Sequence, residues 1–202
     1  MNAWAVPLRI LAAVAMIMYP VVVWQGLATG SPRQVAIVLL AVMTPALLLK
    51  TRGSQAGARV RGLAAVPATI LAVLLAAAVL DGGGLILMTP VAANAVLLLS
   101  FGATLRRGST PMIERFARLQ EPDLSLPKQA WCRTWTKIWC AFFIANGAIA
   151  AGLARYADVE AWAFYNGLLA YALIGGLLAL EWTLRRARFR DAPRRDGARP
   201  NP

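Results

Sequence analysis

Six blocks of apolar residues, almost free of charge, divide this chain: Leu8 to Leu27, Gln34 to Leu49, Gly62 to Leu80, Leu85 to Leu105, Ile138 to Leu153 and Trp162 to Leu184. Each approaches the roughly 20 residues that a helix needs to cross about 30 Å of hydrocarbon. Lipid offers backbone groups no hydrogen-bond partner, so only helices and closed barrels can span it, and these runs lack the alternation of barrel strands. The expected fold is an all-α integral membrane protein, a six-transmembrane-helix bundle forming one domain over residues 1–184. With 59% apolar residues among 202, the composition lies above the soluble norm and leaves little chain for a second domain. The second and fifth blocks are short and are expected to extend to Arg33 and Lys137, whose stems can snorkel to the interface.

Charge sets the orientation, because loops retained in the cytoplasm carry the excess of Lys and Arg. With the N-terminus inside, all of the 21 basic residues except Arg33 and Arg155 fall on the cytoplasmic side. They occupy Arg9, the Lys50 to Arg61 loop, the Arg106 to Lys137 segment and the Arg185 to Arg199 tail. The outer loops hold Asp81, Asp158 and Glu160, and a three-glycine turn at Gly82 to Gly84. Both termini are therefore expected in the cytoplasm of a bacterial inner membrane. The first block is too long for a signal-peptide core and reads as an uncleaved span. The tail 185–202, rich in Arg, Pro and Gly, reads as disordered. Net charge of +12 suggests attraction to anionic membrane lipids rather than nucleic acid, since no basic-aromatic module for reading bases accompanies it.

The residue inventory argues against an enzyme. There is no histidine, hence no imidazole base, no partner for a Ser or Cys nucleophile and no imidazole metal ligand. Cys132 and Cys140 lie eight residues apart, about 12 Å along one helix, too far to bond or to clamp a metal. No cofactor or metal site is expected. Glu114 precedes Arg118 by four residues, the order of a helix-surface ion pair. Glu181, at the inner end of the sixth block, is either a functional acid at the hydrocarbon edge or the partner of Arg185 one turn on.

Other features concern packing. Small residues recur at every fourth position as Ala64, Ala68, Ala72 and Ala76, and as Ala163, Gly167, Gly175 and Ala179; such ladders let helices approach closely. Pro20, Pro45, Pro67 and Pro90 each free a carbonyl within one of the first four blocks. Asn94 and Asn146 fall near mid-depth and serve either as interhelical hydrogen-bonding glue or as a polar ligand site. Asn166 and Tyr165 fall near the outer surface.

Between the fourth and fifth blocks lies the amphipathic segment 111–137. Thr110 and Pro111 read as N-cap and first position of a short helix, with Met112, Ile113, Phe116 and Leu119 on one face and Glu114, Arg115 and Arg118 on the other. That pattern suits a helix lying on the cytoplasmic membrane surface. A second helix starts near Pro127, and its Trp131, Trp135 and Trp139 form a stripe opposite Arg133 and Lys137. The stripe reads either as an aromatic belt or as a groove for an acyl chain or an acidic carrier protein.

The run PMIERFARLQEPDLSLP, followed by Trp131, Trp139, Phe142-Phe143, Asn146-Gly147, Trp162, Tyr165-Asn166-Gly167, Tyr171 and Glu181, resembles a family of small bacterial inner-membrane proteins. Its members accompany gene clusters for aryl polyene pigments of the xanthomonadin type, beside acyl carrier proteins, ketosynthases and acyltransferases. More distantly, the Leu-Pro start of a Trp-rich helix ending in Phe-Phe and Asn-Gly resembles the intracellular septation protein A family, linked to envelope integrity and division. The resemblance covers the C-terminal half. It implies a membrane address and a pathway, with acyl carrier protein or other synthase components as partners, and brings no catalytic residues. Three roles follow as expectations: a non-enzymatic accessory protein of aryl polyene or related lipid biosynthesis, a small lipid transporter or flippase, and an envelope or septation factor.

Overall fold

A computed structural model describes residues 19–51 and 65–189. The N-terminal part of the first block, most of the Lys50 to Arg61 loop, Ala64 and the tail beyond Phe189 lie outside the described residues. Every element among those described is helical: α1 (19–29), α2 (Pro32–Thr51), α3 (Ala65–Leu80), α4 (Gly83–Leu87), α5 (Thr89–Ala103), α6 (Met112–Ala117), α7 (Leu126–Tyr156), α8 (Val159–Phe164) and α9 (Ala170–Phe189). A π-helical turn, Tyr165–Leu169, joins α8 to α9 without a break. Two helical runs, Leu126–Tyr156 and Val159–Phe189, have the length and apolar character to cross a membrane; Pro32–Ala41, Ala65–Leu80 and Thr89–Ala103 are shorter apolar helices.

The fourth block is not one helix. It divides at Met88 into α4 and α5, and the expected glycine turn is partly absorbed into α4, which starts at Gly83. Proline explains the division. Pro90 stands in the first turn of α5, and in a continuous helix its missing N–H would leave the Ile86 carbonyl without a donor. Tyr19 fills the vacancy with its phenolic hydroxyl, 2.8 Å from Ile86 O, while the Trp162 indole N–H donates to Leu87 O at 3.0 Å. The two rings meet edge to face with centroids 6.1 Å apart. Around them Val23, Val35, Ala36, Leu39, Leu74 and Ala77 complete one core, drawn from α1, α2, α3, α4 and α8.

At that same end Arg33 has a structural task. Its backbone N–H donates to Asp81 Oδ1 (2.8 Å), its Nε to the Ala78 carbonyl (2.9 Å) and its Nη2 to the Val79 carbonyl (3.4 Å). A guanidinium thus closes the last turn of α3, where carbonyls lack intrahelical donors and the helix dipole is negative. Asp81 turns the chain there with φ of +51°, a left-handed conformation that Asp tolerates better than most residues.

A second core joins α5, α6 and α7 through Phe101, Met112, Trp139 and Phe143, with Ile174 and Leu177 of α9 beside it. α5 runs along α7, and Gly147 permits this: a Cβ there would stand 3.1 Å from the Asn94 Cβ. Gly167 similarly lies against Pro20, at 3.2 Å. The rest of the small-residue ladders divides: Ala163 is buried in the first core and Ala76 is half-buried. Ala68 and Ala72 are exposed, as are Gly175 and Ala179, and α3 packs instead through Leu74 and Ala77.

Candidate functional site

The end of α5, the short α6, the start of α7 and the end of α9 meet at one end of the molecule, and this is where the charged side chains gather. Thr104 organises the turn from α5. Its hydroxyl donates to the Phe101 carbonyl (2.6 Å) and accepts the Met112 N–H (2.9 Å), while the Ile113 N–H reaches Thr136 Oγ1 of α7 at 3.3 Å. These two hydroxyls satisfy the free N–H groups at the start of α6, the task sequence reasoning gave to Thr110. Pro111 itself occupies the cap position, and the helix begins at Met112.

The surface-helix expectation for α6 is corrected. Its apolar face is turned into the protein: Met112 is 1% exposed against Phe101, Trp139 and Phe143, and Ala117 is buried beside Leu124 and Cys132. Leu119, assigned to that face, is exposed instead. Glu114, assigned to the polar face, is buried, and one of its oxygens receives both Nε (2.9 Å) and Nη2 (2.7 Å) of Arg118. The third Arg118 nitrogen donates to the Pro122 carbonyl at 2.7 Å, so the ion pair also fixes the turn that ends α6. Arg115 Nε donates to Thr110 O at 3.0 Å, and Arg133 reaches across to Leu105 O at 2.5 Å. Glu114, Arg118, Gln129 and Arg133 border an open hollow of about 440 Å³ whose far wall is the 108–111 turn. Gly108, at φ of +79°, makes that turn possible.

The tryptophan stripe is divided by depth. Trp139 lies in the second core and Trp135 is also buried, at 6% and 4% exposure, whereas Trp131 is only half-buried. Trp131 meets the far end of the chain: its indole N–H points to Glu181 Oε1 at 3.3 Å, and Phe189 stands edge-on to its ring at 6.0 Å. Arg185 lies 3.9 Å from the same Glu181 oxygen. The Glu181 to Arg185 pairing is therefore present, with an indole as third member. These contacts correct the expectation for the tail, because residues 185–189 continue α9. Beside them Lys128 binds both oxygens of Glu121 at 2.7 Å, and the Arg186 guanidinium lies over the Trp182 ring at 4.2 Å.

Deeper in the bundle the asparagines form a chain. Asn146 Nδ2 donates to Asn94 Oδ1 at 3.1 Å, Asn94 Nδ2 donates to the Pro90 carbonyl at 2.8 Å, and the Tyr165 hydroxyl donates to Asn146 Oδ1 at 2.9 Å. Tyr165 and Asn166 are both buried. Asn166 stands apart and bonds to the Trp162 carbonyl of its own helix. Among the described residues no three His, Cys, Asp or Glu side chains stand close enough to hold a metal ion.

Sequence reasoning missed Thr104, Thr136 and Phe189, named Tyr165 without its bond to Asn146, and counted Lys128 and Arg186 only as charge. Comparison of the chain with protein-family models, with curated proteins and with solved structures finds no match in any of the three.

Proposed function

We propose that this is a six-span protein of the bacterial inner membrane with both termini in the cytoplasm, serving without catalysis as an accessory of aryl polyene or related lipid biosynthesis. The charged end would hold acyl-carrier machinery at the membrane or take up its apolar product. The observation that carries the membrane part is the outward face of the two long helices. Only 28% and 17% of their apolar windows are buried inside the protein, and Ile144, Leu168, Leu173, Leu178 and Leu180 are all exposed, more apolar surface than water tolerates. The pathway part rests on the residues that carry the family resemblance, since the 111–147 segment builds the charged end and its hollow. Arg118 and Arg133 on that hollow suit an acidic partner.

A second reading, lipid transport, is favoured by the π turn beside the Asn94, Asn146 and Tyr165 chain. It is the weaker one, because each of those side chains already has a protein partner.

Two measurements test the proposal. In a Cys132→Ala, Cys140→Ala background, Glu160→Cys should react with a membrane-impermeant maleimide in intact cells, and Arg107→Cys only after permeabilisation; the reverse pattern overturns the topology. Deletion of the gene should lower aryl polyene lipid and release acyl carrier protein from the membrane fraction, and Arg118→Gln with Arg133→Gln should restore neither. Unchanged lipid and carrier distribution in the deletion strain would rule out the pathway role.

A further inference from the structure

A second cleft, of about 280 Å³, opens where the first turn of α7 faces the last turns of α9, lined by Gln120, Lys128, Trp182, Arg185, Arg186 and Phe189. We infer that it is a binding site for the phosphate of an anionic phospholipid, with the acyl chains lying along α9. The inference rests on the membrane reading above and gives it a particular lipid contact.

Charge selects a phosphate. Three cations line the cleft, and their carboxylate partners leave them donors to spare. Glu121 occupies Lys128, but Glu181 lies 3.9 Å from Arg185, well beyond the roughly 2.7–2.9 Å of a charge-assisted hydrogen bond, and already accepts from the Trp131 indole. Arg186 rests on the Trp182 ring with no carboxylate at ion-pair distance among the described residues. Two guanidiniums one position apart, with an ammonium opposite, present forked donors to the oxygens of a phosphate.

The helix selects a lipid over a soluble phosphate. Residues Gly175, Leu178, Trp182, Arg185 and Phe189 follow one another at spacings of three and four, so they form a single stripe down α9. Its upper part is open and apolar: no atom comes within 4 Å of a Cβ placed on Gly175, and Leu178 and Trp182 are each 53% exposed. An acyl chain laid along Gly175 and Leu178 brings its headgroup past Trp182, a side chain suited to the interface, and into the cationic cleft. A free phosphate would gain nothing from that strip.

The test is native mass spectrometry of the whole protein in detergent, with phosphatidylglycerol, phosphatidylcholine of the same chains, and glycerol phosphate as probes. The parent should retain one phosphatidylglycerol, and Arg185→Gln with Arg186→Gln should retain it about thirtyfold less, the loss of two basic side chains near a lipid surface. Arg106→Gln with Arg107→Gln, the same charge change on the exposed α5–α6 turn, should leave retention unchanged, and Trp182→Ala should weaken it without altering charge. Equal losses in the two double variants, or equal retention of phosphatidylcholine, would overturn the site in favour of diffuse charge. Displacement by glycerol phosphate at equal concentration would overturn the lipid assignment. Alkaline carbonate extraction judges the membrane reading separately: a chain released from membranes defeats that reading, whereas a chain that stays but binds no phosphatidylglycerol defeats only the site.

Discussion

Tyr165, in the π turn between α8 and α9, donates a 2.9 Å hydrogen bond to Asn146 of α7, which in turn donates to Asn94 of α5. Three segments distant in sequence are thereby joined through one buried amide. The extra residue in a π turn rotates the following side chains relative to an uninterrupted α-helix, so the turn and the placement of Tyr165 belong together.

Removing Tyr165 from that chain should cost little and removing Asn146 should cost more. Tyr165→Phe is expected to destabilise the detergent-solubilised protein by about 0.6 kcal/mol, and Asn146→Leu, which strands both neighbours, by about 2 kcal/mol. In equilibrium unfolding, the double variant should be scarcely less stable than Asn146→Leu alone, because the tyrosine bond is already lost. Full additivity would show that the two side chains act independently.

Glu181 separates a hydrogen-bonding role from a charge role. Glu181→Gln keeps an oxygen for the Trp131 indole and should change stability by about 0.5 kcal/mol or less, whereas Glu181→Leu leaves the indole unpartnered and should cost about 1–2 kcal/mol. If Gln proved as damaging as Leu, the negative charge itself would be what matters.

Gly147 should tolerate Ala and resist Leu. The added methyl meets Asn94 Cβ at 3.1 Å, a gap that a small helix shift can open, but a leucine would force α5 from α7 at a cost of about 1–3 kcal/mol. Gly152 is the control, since a methyl added there meets no atom within 4 Å, and Gly152→Leu should be near neutral by thermal unfolding.

Arg33→Ala should destabilise the α2–α3 hairpin by about 1 kcal/mol through the loss of its bonds to the Ala78 and Val79 carbonyls. Arg33→Lys should recover only part of this, since an ammonium cannot present the same fork. Hydrogen exchange of the amides at the end of α3 would report it, and equal protection in parent and Ala variant would refute the capping role.

Much of the local structure was legible because it depends on neighbours in sequence. The four-residue spacing of Glu114 and Arg118 places them on one helix face, and they pair. Glu181 and Arg185 do likewise. The mid-depth asparagines announced a hydrogen bond between α5 and α7, since a buried amide must find a partner. What the spacing did not reveal was direction. The alanine ladder of α3 and the upper glycines of α9 suit close packing, but Ala68, Ala72 and Gly175 are exposed, and the amphipathic face of α6 covers a protein core rather than lipid.

By itself the sequence pointed to helix, because its long apolar runs lack the alternation of half-buried strands, and it placed the charged residues between those runs. Only the tertiary structure decided that Trp131 meets Glu181 and Phe189, that Tyr19 supplies the donor Pro90 lacks, and that Thr104 and Thr136 cap α6. Each of those partners is separated from its mate by a stretch of chain whose path is set by the packing of whole helices, and no periodicity within a single helix encodes the face that another will cover.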